Sequence, residues 1–209
     1  MKKLLFLSLL FVSLFGYSQK QIFESPQLSS SIKLHKIIAI LPFKVKISYK
    51  KQPKNFDADA NRELEVSRSK SIQSSLYTFL LRKRESYNIE FQDVEKTNIL
   101  LKKAGVSDKL DEMTKDEVAK ILGVDAVLGG SYEAEQTKSE AGAIATAVIF
   151  GGLGGKTGSD SLTLTLNNGV DGELLWRFYK TMSQNITSST DDIVDSMMRK
   201  VSRNFPYTK

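Results

Sequence analysis

A chain of 209 residues has room for one substantial domain or two small ones. Its 41% hydrophobic content excludes wholesale disorder, and 30 Lys and Arg against 24 Asp and Glu leave a net charge of +6. With no cysteine, the chain excludes disulfide frameworks, thiolate zinc sites, iron–sulfur clusters, cysteine nucleophiles and a lipidated cysteine; one histidine leaves little for common acid–base chemistry.

Lys2 and Lys3 precede an apolar run from Leu4 to Phe15, followed by Gly16, Tyr17 and Ser18. This order predicts a signal peptide over 1–18, cut after Ser18. The run of 12 residues is too short to cross about 30 Å of hydrocarbon as a helix, so a retained anchor is the weaker reading. Cleavage removes two lysines and no acid, so part of the basicity belongs to the export signal. The signal has bacterial character and predicts the periplasm or the periplasmic face of the outer membrane, where scarce ATP weighs against nucleotide-driven chemistry.

Residues 19–35 are polar, with Pro26 and the Ser29–Ser31 run, and read as a linker. Lys36 to Ile47 is a β-branched run typical of a buried strand, and Pro42 within it predicts an edge position or a bulge. A charged loop over 50–60 leads to a helix over 63–84, whose Ile72, Leu76, Phe79 and Leu80 follow the helical period. A short strand over 88–91 and a helix over 94–103 follow. Thr114-Lys-Asp-Glu117 is a capping box opening a helix that Gly123 can close in the left-handed conformation.

A strand is predicted from Val124 to Glu135. Leu162, Leu164 and Leu166 alternate with threonines as a half-buried strand, and Asn167-Asn168-Gly169 turns the chain into a partner strand over 174–181 that carries Trp176. A final helix opens at Ser189 with Asp191 and Asp192, and Ile193, Met197 and Val201 line one face. The expectation is a single α/β (α+β) domain over 36–206. It holds a mixed sheet of about five strands with helices packed on it, in the order β-α-β-α-α-β-β-β-α.

Three short motifs carry a resemblance: Ile37-Ile-Ala-Ile-Leu-Pro-Phe43, Leu122-Gly-Val-Asp-Ala-Val-Leu-Gly-Gly130 and Gly172-Glu-Leu-Leu-Trp-Arg177. Together they resemble a group of bacterial envelope proteins over most of residues 36–206. The group comprises the curli-secretion channel family, the lipoprotein activators of penicillin-binding proteins, and the N-terminal domain of the Tol translocation protein. The resemblance implies the fold more than a function, because members of the group differ in what they do. Unlike the lipoprotein members, this chain has no cysteine to acylate.

Each chemical motif meets a plainer reading. Gly151-Gly-Leu-Gly-Gly-Lys-Thr157 is close to a phosphate-binding loop, but Phe150 stands where the first glycine belongs and a strand follows where a helix is needed. Asp57, Asp59 and Asn61 imitate the start of a calcium loop, yet Arg62 and Arg68 occupy its glycine and glutamate positions. The pairs Asp116/Glu117 and Asp191/Asp192 fall in first helical turns, where capping explains them. His35 has no partner histidine or cysteine and is expected to be exposed. Lys44, Lys46, Lys50, Lys51 and Lys54 read as a solvated basic face, with anionic lipid headgroups or acidic polymers as the second reading.

The residual oddity is Ala141 to Gly155, AGAIATAVIFGGLGG, an uncharged stretch inside an insertion over 138–159. A connection of about 20 residues exceeds the usual length within a domain. It is too short for a spanning helix and long enough for a membrane strand of about 9–11 residues. Packing of small residues against a partner or bilayer, and a loop folded over its own domain, are the other readings.

The contact candidates are Ile144, Val148, Ile149, Phe150, Gly151, Gly152, Leu153, Gly154 and Gly155. No catalytic, metal or cofactor set emerges. The sequence reading is an exported, non-catalytic accessory protein for envelope assembly or secretion. It docks on an envelope protein of unknown identity, with peripheral outer-membrane contact and self-association open and nucleic acid not a partner. The alternative is an oligomeric pore-forming subunit of an outer-membrane secretion channel.

Overall fold

Pro42 divides the expected Lys36–Ile47 strand in two. In the computed structural model, which describes residues 21–54, 56–136, 156–185, 194, 195, 198, 199, 201 and 204–209, both halves lie on the same neighbour. β2 (Ile37–Ile40) and β3 (Lys44–Tyr49) run parallel to β5 (Ala126–Gln136), with Ile40 opposite Leu128 and Lys44 opposite Ser131. Between those two pairs the Pro42 segment takes one residue more than β5 does, which is a bulge. Proline has no N–H for a ladder, so the interruption falls where the donor is missing.

The other strands are β1 (Gln21–Glu24), β4 (Glu90–Phe91), β6 (Lys156–Asn168) and β7 (Leu174–Asn185). The sheet order is β1-β7-β6-β5-β2-β4, with β3 beside β5. The β2–β4, β2–β5 and β3–β5 pairs are parallel; β1–β7, β5–β6 and β6–β7 are antiparallel. This is the mixed α/β single domain expected, with more strands than the five anticipated. Part of the expected linker is structured: β1 pairs with β7, and a short helix, α1 (Leu28–Ser31), follows it.

Helix α2 (Ala58–Arg82) begins five residues earlier than its apolar period indicates. Asp57 caps it, its Oδ1 accepting from the amides of Asp59 at 2.9 Å and Ala60 at 3.1 Å. The first half of α2 is amphipathic in an unusual sense, because its inward side chains bond strand backbone. Asn61 and Glu65 reach the two backbone groups of Ile47, Ser69 donates to the carbonyl of Phe43 at 2.6 Å, and Gln73 donates to that of Ile40 at 2.8 Å. These positions recur every four residues, so one helix face lies along the β2–β3 edge. The second half carries Ile72, Leu76, Phe79 and Leu80 into the core.

α3 (Val94–Lys103) lies where expected. α4 (Lys115–Leu122) has the capping box at Thr114 and Glu117, and Gly123 closes it at φ 64°. Helical residues recur at Val194, Asp195, Met198, Arg199 and Val201. Val194, Met198 and Val201 are buried; Ile193 and Met197, expected on that face, lie outside the described residues.

The sheet separates two clusters. On one face Ile38, Ile40, Leu128, Tyr132, Leu164, Leu166, Trp176 and Phe178 pack under α2, Val194, Met198, Val201, Phe205 and Tyr207. On the other, Ala39, Leu41 and Val127 meet Leu101 of α3 and Val118, Ala119 and Leu122 of α4. No helix among the described residues is long and apolar enough to cross a membrane.

Candidate functional site

α3 and α4 cover β2 and the start of β5, and no described element covers the same face further along. Strand register arranges that open face in rows. Phe23, Arg177, Thr165 and Gly129 form one row; Gln21, Tyr179, Thr163, Ser131 and Lys44 form the next; Thr181, Ser161, Glu133 and Lys46 form a third. All of these except Gly129 are exposed or half-buried. The alternation that buries Leu162, Leu164 and Leu166 therefore presents Ser161, Thr163 and Thr165 to the outside.

A cavity of about 310 Å³ opens where this face meets the 110–115 segment. Gly129 forms its floor, Ser131, Thr163 and Thr165 line it on the sheet side, and Lys44, Asp111, Lys115 and Arg177 ring it. A Cβ placed on Gly129 would come no closer than 3.7 Å to any neighbour, so neither space nor backbone demands glycine there. Its missing side chain leaves the floor open. The adjacent Gly130 is the opposite case, since a Cβ there would lie 2.0 Å from the Thr163 carbonyl oxygen.

Lys44 pairs with Asp111 at 2.7 Å, and that hydrogen bond and charge raise the lysine's pKa above its ordinary value. Lys115 donates to the carbonyl of Leu110 at 3.3 Å. The side chains of Ser131, Thr163, Thr165 and Arg177 have no hydrogen-bond or ion-pair partner among the described residues. The cavity thus offers three hydroxyls, one unengaged guanidinium and an excess of positive charge to an incoming group.

His35, expected to be exposed, is 7% exposed. Tyr207 and Asn168 cover it from distant parts of the chain. Nδ1 lies 2.6 Å from the Tyr207 hydroxyl and Nε2 3.3 Å from Asn168 Oδ1. An amide oxygen only accepts, so Nε2 carries the proton and the Tyr207 hydroxyl donates to Nδ1. Burial lowers the histidine's pKa below 6.5 against the opposing pull of Asn168 and Asp125, while burial, then Asp125, pushes the Tyr207 hydroxyl far above its usual range. Asp125 itself accepts from the backbone amides of Lys36 at 2.7 Å and Ile37 at 2.9 Å. The cluster clamps the entry to β2.

The remaining candidates take their plainer roles. Asp57 caps α2 and Asn61 serves the strand edge, and among the described residues no three His, Asp or Glu converge as metal ligands. Glu117 is spent on the Thr114 amide at 3.0 Å. The basic run splits between Lys44 and Lys46 on the open face and exposed Lys50, Lys51 and Lys54 beyond it. Lys156 and Thr157 lie in β6, so a strand follows the glycines of 151–155, as expected.

Ile144, Val148, Ile149, Phe150, Gly151, Gly152, Leu153, Gly154 and Gly155 lie outside the described residues, as do the signal segment 1–18 and the Asp191/Asp192 pair. The strands that flank 137–155 are described: β5 and β6 are paired up to Gln136 opposite Gly158. The sequence reading named Lys44 in the basic run and Gly129, Gly130 and Arg177 within motifs, but it did not bring them together as a cavity with Ser131, Thr163 and Thr165.

No protein-family model matches the chain, and no curated protein does. Solved structures are similar to it. A PelC dodecamer from Paraburkholderia phytofirmans aligns with 91% of this chain and 99% of its own at 14% identity and TM-score 0.45. Lipoprotein GNA1162 from Neisseria meningitidis aligns with 81% and 96%, at 12% identity and TM-score 0.49. The C-terminal domain of LpoB from Salmonella enterica aligns with 76% and 94%, at 12% identity and TM-score 0.36. LpoB belongs to the envelope group that the sequence motifs resemble. At these identities and TM-scores none of the likenesses transfers a function.

Proposed function

We propose that this protein is an exported, non-catalytic accessory factor of the bacterial cell envelope, acting by docking its α/β domain on an envelope protein at the periplasmic side. The observation that carries this reading is the open sheet face, whose rows from β1 to β3 hold, Phe23 and Gly129 aside, exposed or half-buried side chains with polar groups and have no described element over them. The leader-like Lys2–Ser18 segment supports export, and the envelope motifs support the compartment.

Site-specific photo-crosslinking from Thr163 in intact cells, beside a Thr163→Arg variant, tests it. Docking predicts a discrete crosslinked protein that the arginine variant fails to capture. An unchanged yield from Thr163→Arg, crosslinked from neighbouring Ser161, overturns the assignment of this face. Deleting 141–155 in the same assay measures that segment's share; equal yield removes it from the interface.

The pore-forming reading rests on one observation: the uncharged stretch joins two long strands already paired antiparallel at Gln136 and Gly158, where a membrane hairpin would start. Carbonate extraction separates the two. A channel subunit stays in the membrane pellet, and a docking factor washes off.

A further inference from the structure

We infer that the 310 Å³ cavity over Gly129 is a carboxylate-binding pocket, and that its occupant is an acidic side chain on an extended segment of a protein partner. This inference rests on the docking reading and names the chemistry of the contact.

Charge is the first argument. Lys44, Lys115 and Arg177 surround the opening against one acid, Asp111, which Lys44 already engages at 2.7 Å. Arg177 is left without an internal partner among the described residues, and a guanidinium recognises a carboxylate through two parallel hydrogen bonds. The second argument is the donor set on the sheet side. Ser131, Thr163 and Thr165 have no internal hydrogen bonds among the described residues, so their hydroxyls stay available to a carboxylate or to the amides beside it.

Shape then selects among ligands that carry a carboxylate. The cavity is open on the side of the sheet, so a free small anion would keep most of its hydration and little affinity. A peptide gains where a small anion cannot. Phe23, 48% exposed, stands opposite Arg177 in register, and half-buried Tyr179 is the next side chain of that face along β7, together giving an apolar shelf beside the charge. Hydroxyl-bearing rows continue from the cavity through Ser161 and Thr181. A segment with an acidic residue next to an aromatic or aliphatic one matches this layout.

The test uses the purified full chain and fluorescein-labelled Gly-Glu-Phe-Glu-Gly, read by fluorescence anisotropy. Its counterpart Gly-Gln-Phe-Gln-Gly and inorganic phosphate are the other probes. We expect the glutamate peptide to bind, the glutamine peptide to bind about tenfold more weakly or worse, and phosphate to compete only in large excess. Gly129→Val fills the floor and Arg177→Gln removes the guanidinium; each weakens the glutamate peptide about tenfold, while Lys54→Gln leaves it unchanged. If Gly129→Val lowers the melting temperature, Arg177→Gln, at an exposed residue, decides alone.

Equal binding of the two peptides, no binding of either, or indifference to both cavity variants overturns the assignment. Displacement by phosphate at matching concentration also overturns it, and makes the cavity a small-anion site. Retained crosslinking from Thr163 in the Gly129→Val chain sinks this pocket and leaves the docking reading standing.

Discussion

Glu65 of α2 accepts a hydrogen bond from the backbone amide of Ile47 in β3, 2.8 Å away. Asn61 takes up the carbonyl of the same residue at 3.3 Å, and Ser69 and Gln73 continue the pattern toward Ile40. An edge strand with free backbone groups is a template for pairing with another chain, and here a row of helix side chains occupies those groups. Glu65→Ala should leave the Ile47 amide unsatisfied, costing about 1–3 kcal/mol in urea denaturation and raising self-association in light scattering. Glu65→Gln keeps an acceptor and should recover most of the loss. A Glu65→Ala chain as stable and monodisperse as its parent would refute the edge-covering role.

The His35 cluster makes stability depend on pH in a defined direction. Burial holds the folded-state pKa below 6.5, so the unfolded chain takes up the proton first as pH falls. Stability should be level above about pH 7 and should decline below 6.5 until the folded-state pKa is passed. Denaturation midpoints measured from pH 5 to 8 check this, since most carboxylates remain ionised across that range. His35→Phe should remove the slope between pH 5 and 6.5. A slope that survives the substitution assigns it to another group.

Gly129 and Gly130 are neighbours with opposite requirements. Gly130→Ala drives a Cβ against the Thr163 carbonyl and should cost about 3 kcal/mol or prevent folding. Gly129→Ala meets nothing closer than 3.7 Å and should fold with stability within about 1 kcal/mol of the parent. Parallel thermal melts of the two variants, with similar losses in both, would contradict the register of β5 against β6.

Trp176 is the sole tryptophan and is fully buried, stacked on Phe178 at 6.1 Å and edge-on to Phe205 at the same distance. Its emission should be blue-shifted, shielded from iodide and shifted to the red on unfolding. Trp176→Ala should cost about 3–5 kcal/mol. Iodide quenching of the native chain as strong as that of the denatured one would place the indole elsewhere.

The elements that announced themselves in the sequence are those whose own side chains carry the period. α3, the Thr114 box and the alternating leucines of β6 are built from local pattern, and each lies where that pattern puts it. The first turns of α2 do not, because Asn61, Glu65 and Ser69 face inward for hydrogen bonds and leave no apolar stripe. β1 escaped as four residues in a polar stretch, stabilised by β7 some 150 residues away in register. His35 was misjudged because its burial depends on Tyr207 and Asn168, which no local pattern connects to it. The cavity was illegible for the same reason, as Lys44, Gly129, Thr165 and Arg177 meet only through the sheet.

The contacts of residues 204–209 bear on when folding can finish. Phe205 and Tyr207 supply core side chains, Asn88 donates to the Tyr207 carbonyl, Lys209 donates to that of Ser86, and Tyr87 bridges Thr208. A nascent chain lacking these residues leaves Tyr87, Trp176 and His35 without the rings that cover them. Closure waits for contacts of very high sequence separation, which slows it. Under the proposed export that delay would have a use: the polypeptide would stay threadable until Phe205 and Tyr207 reach the rest of the core.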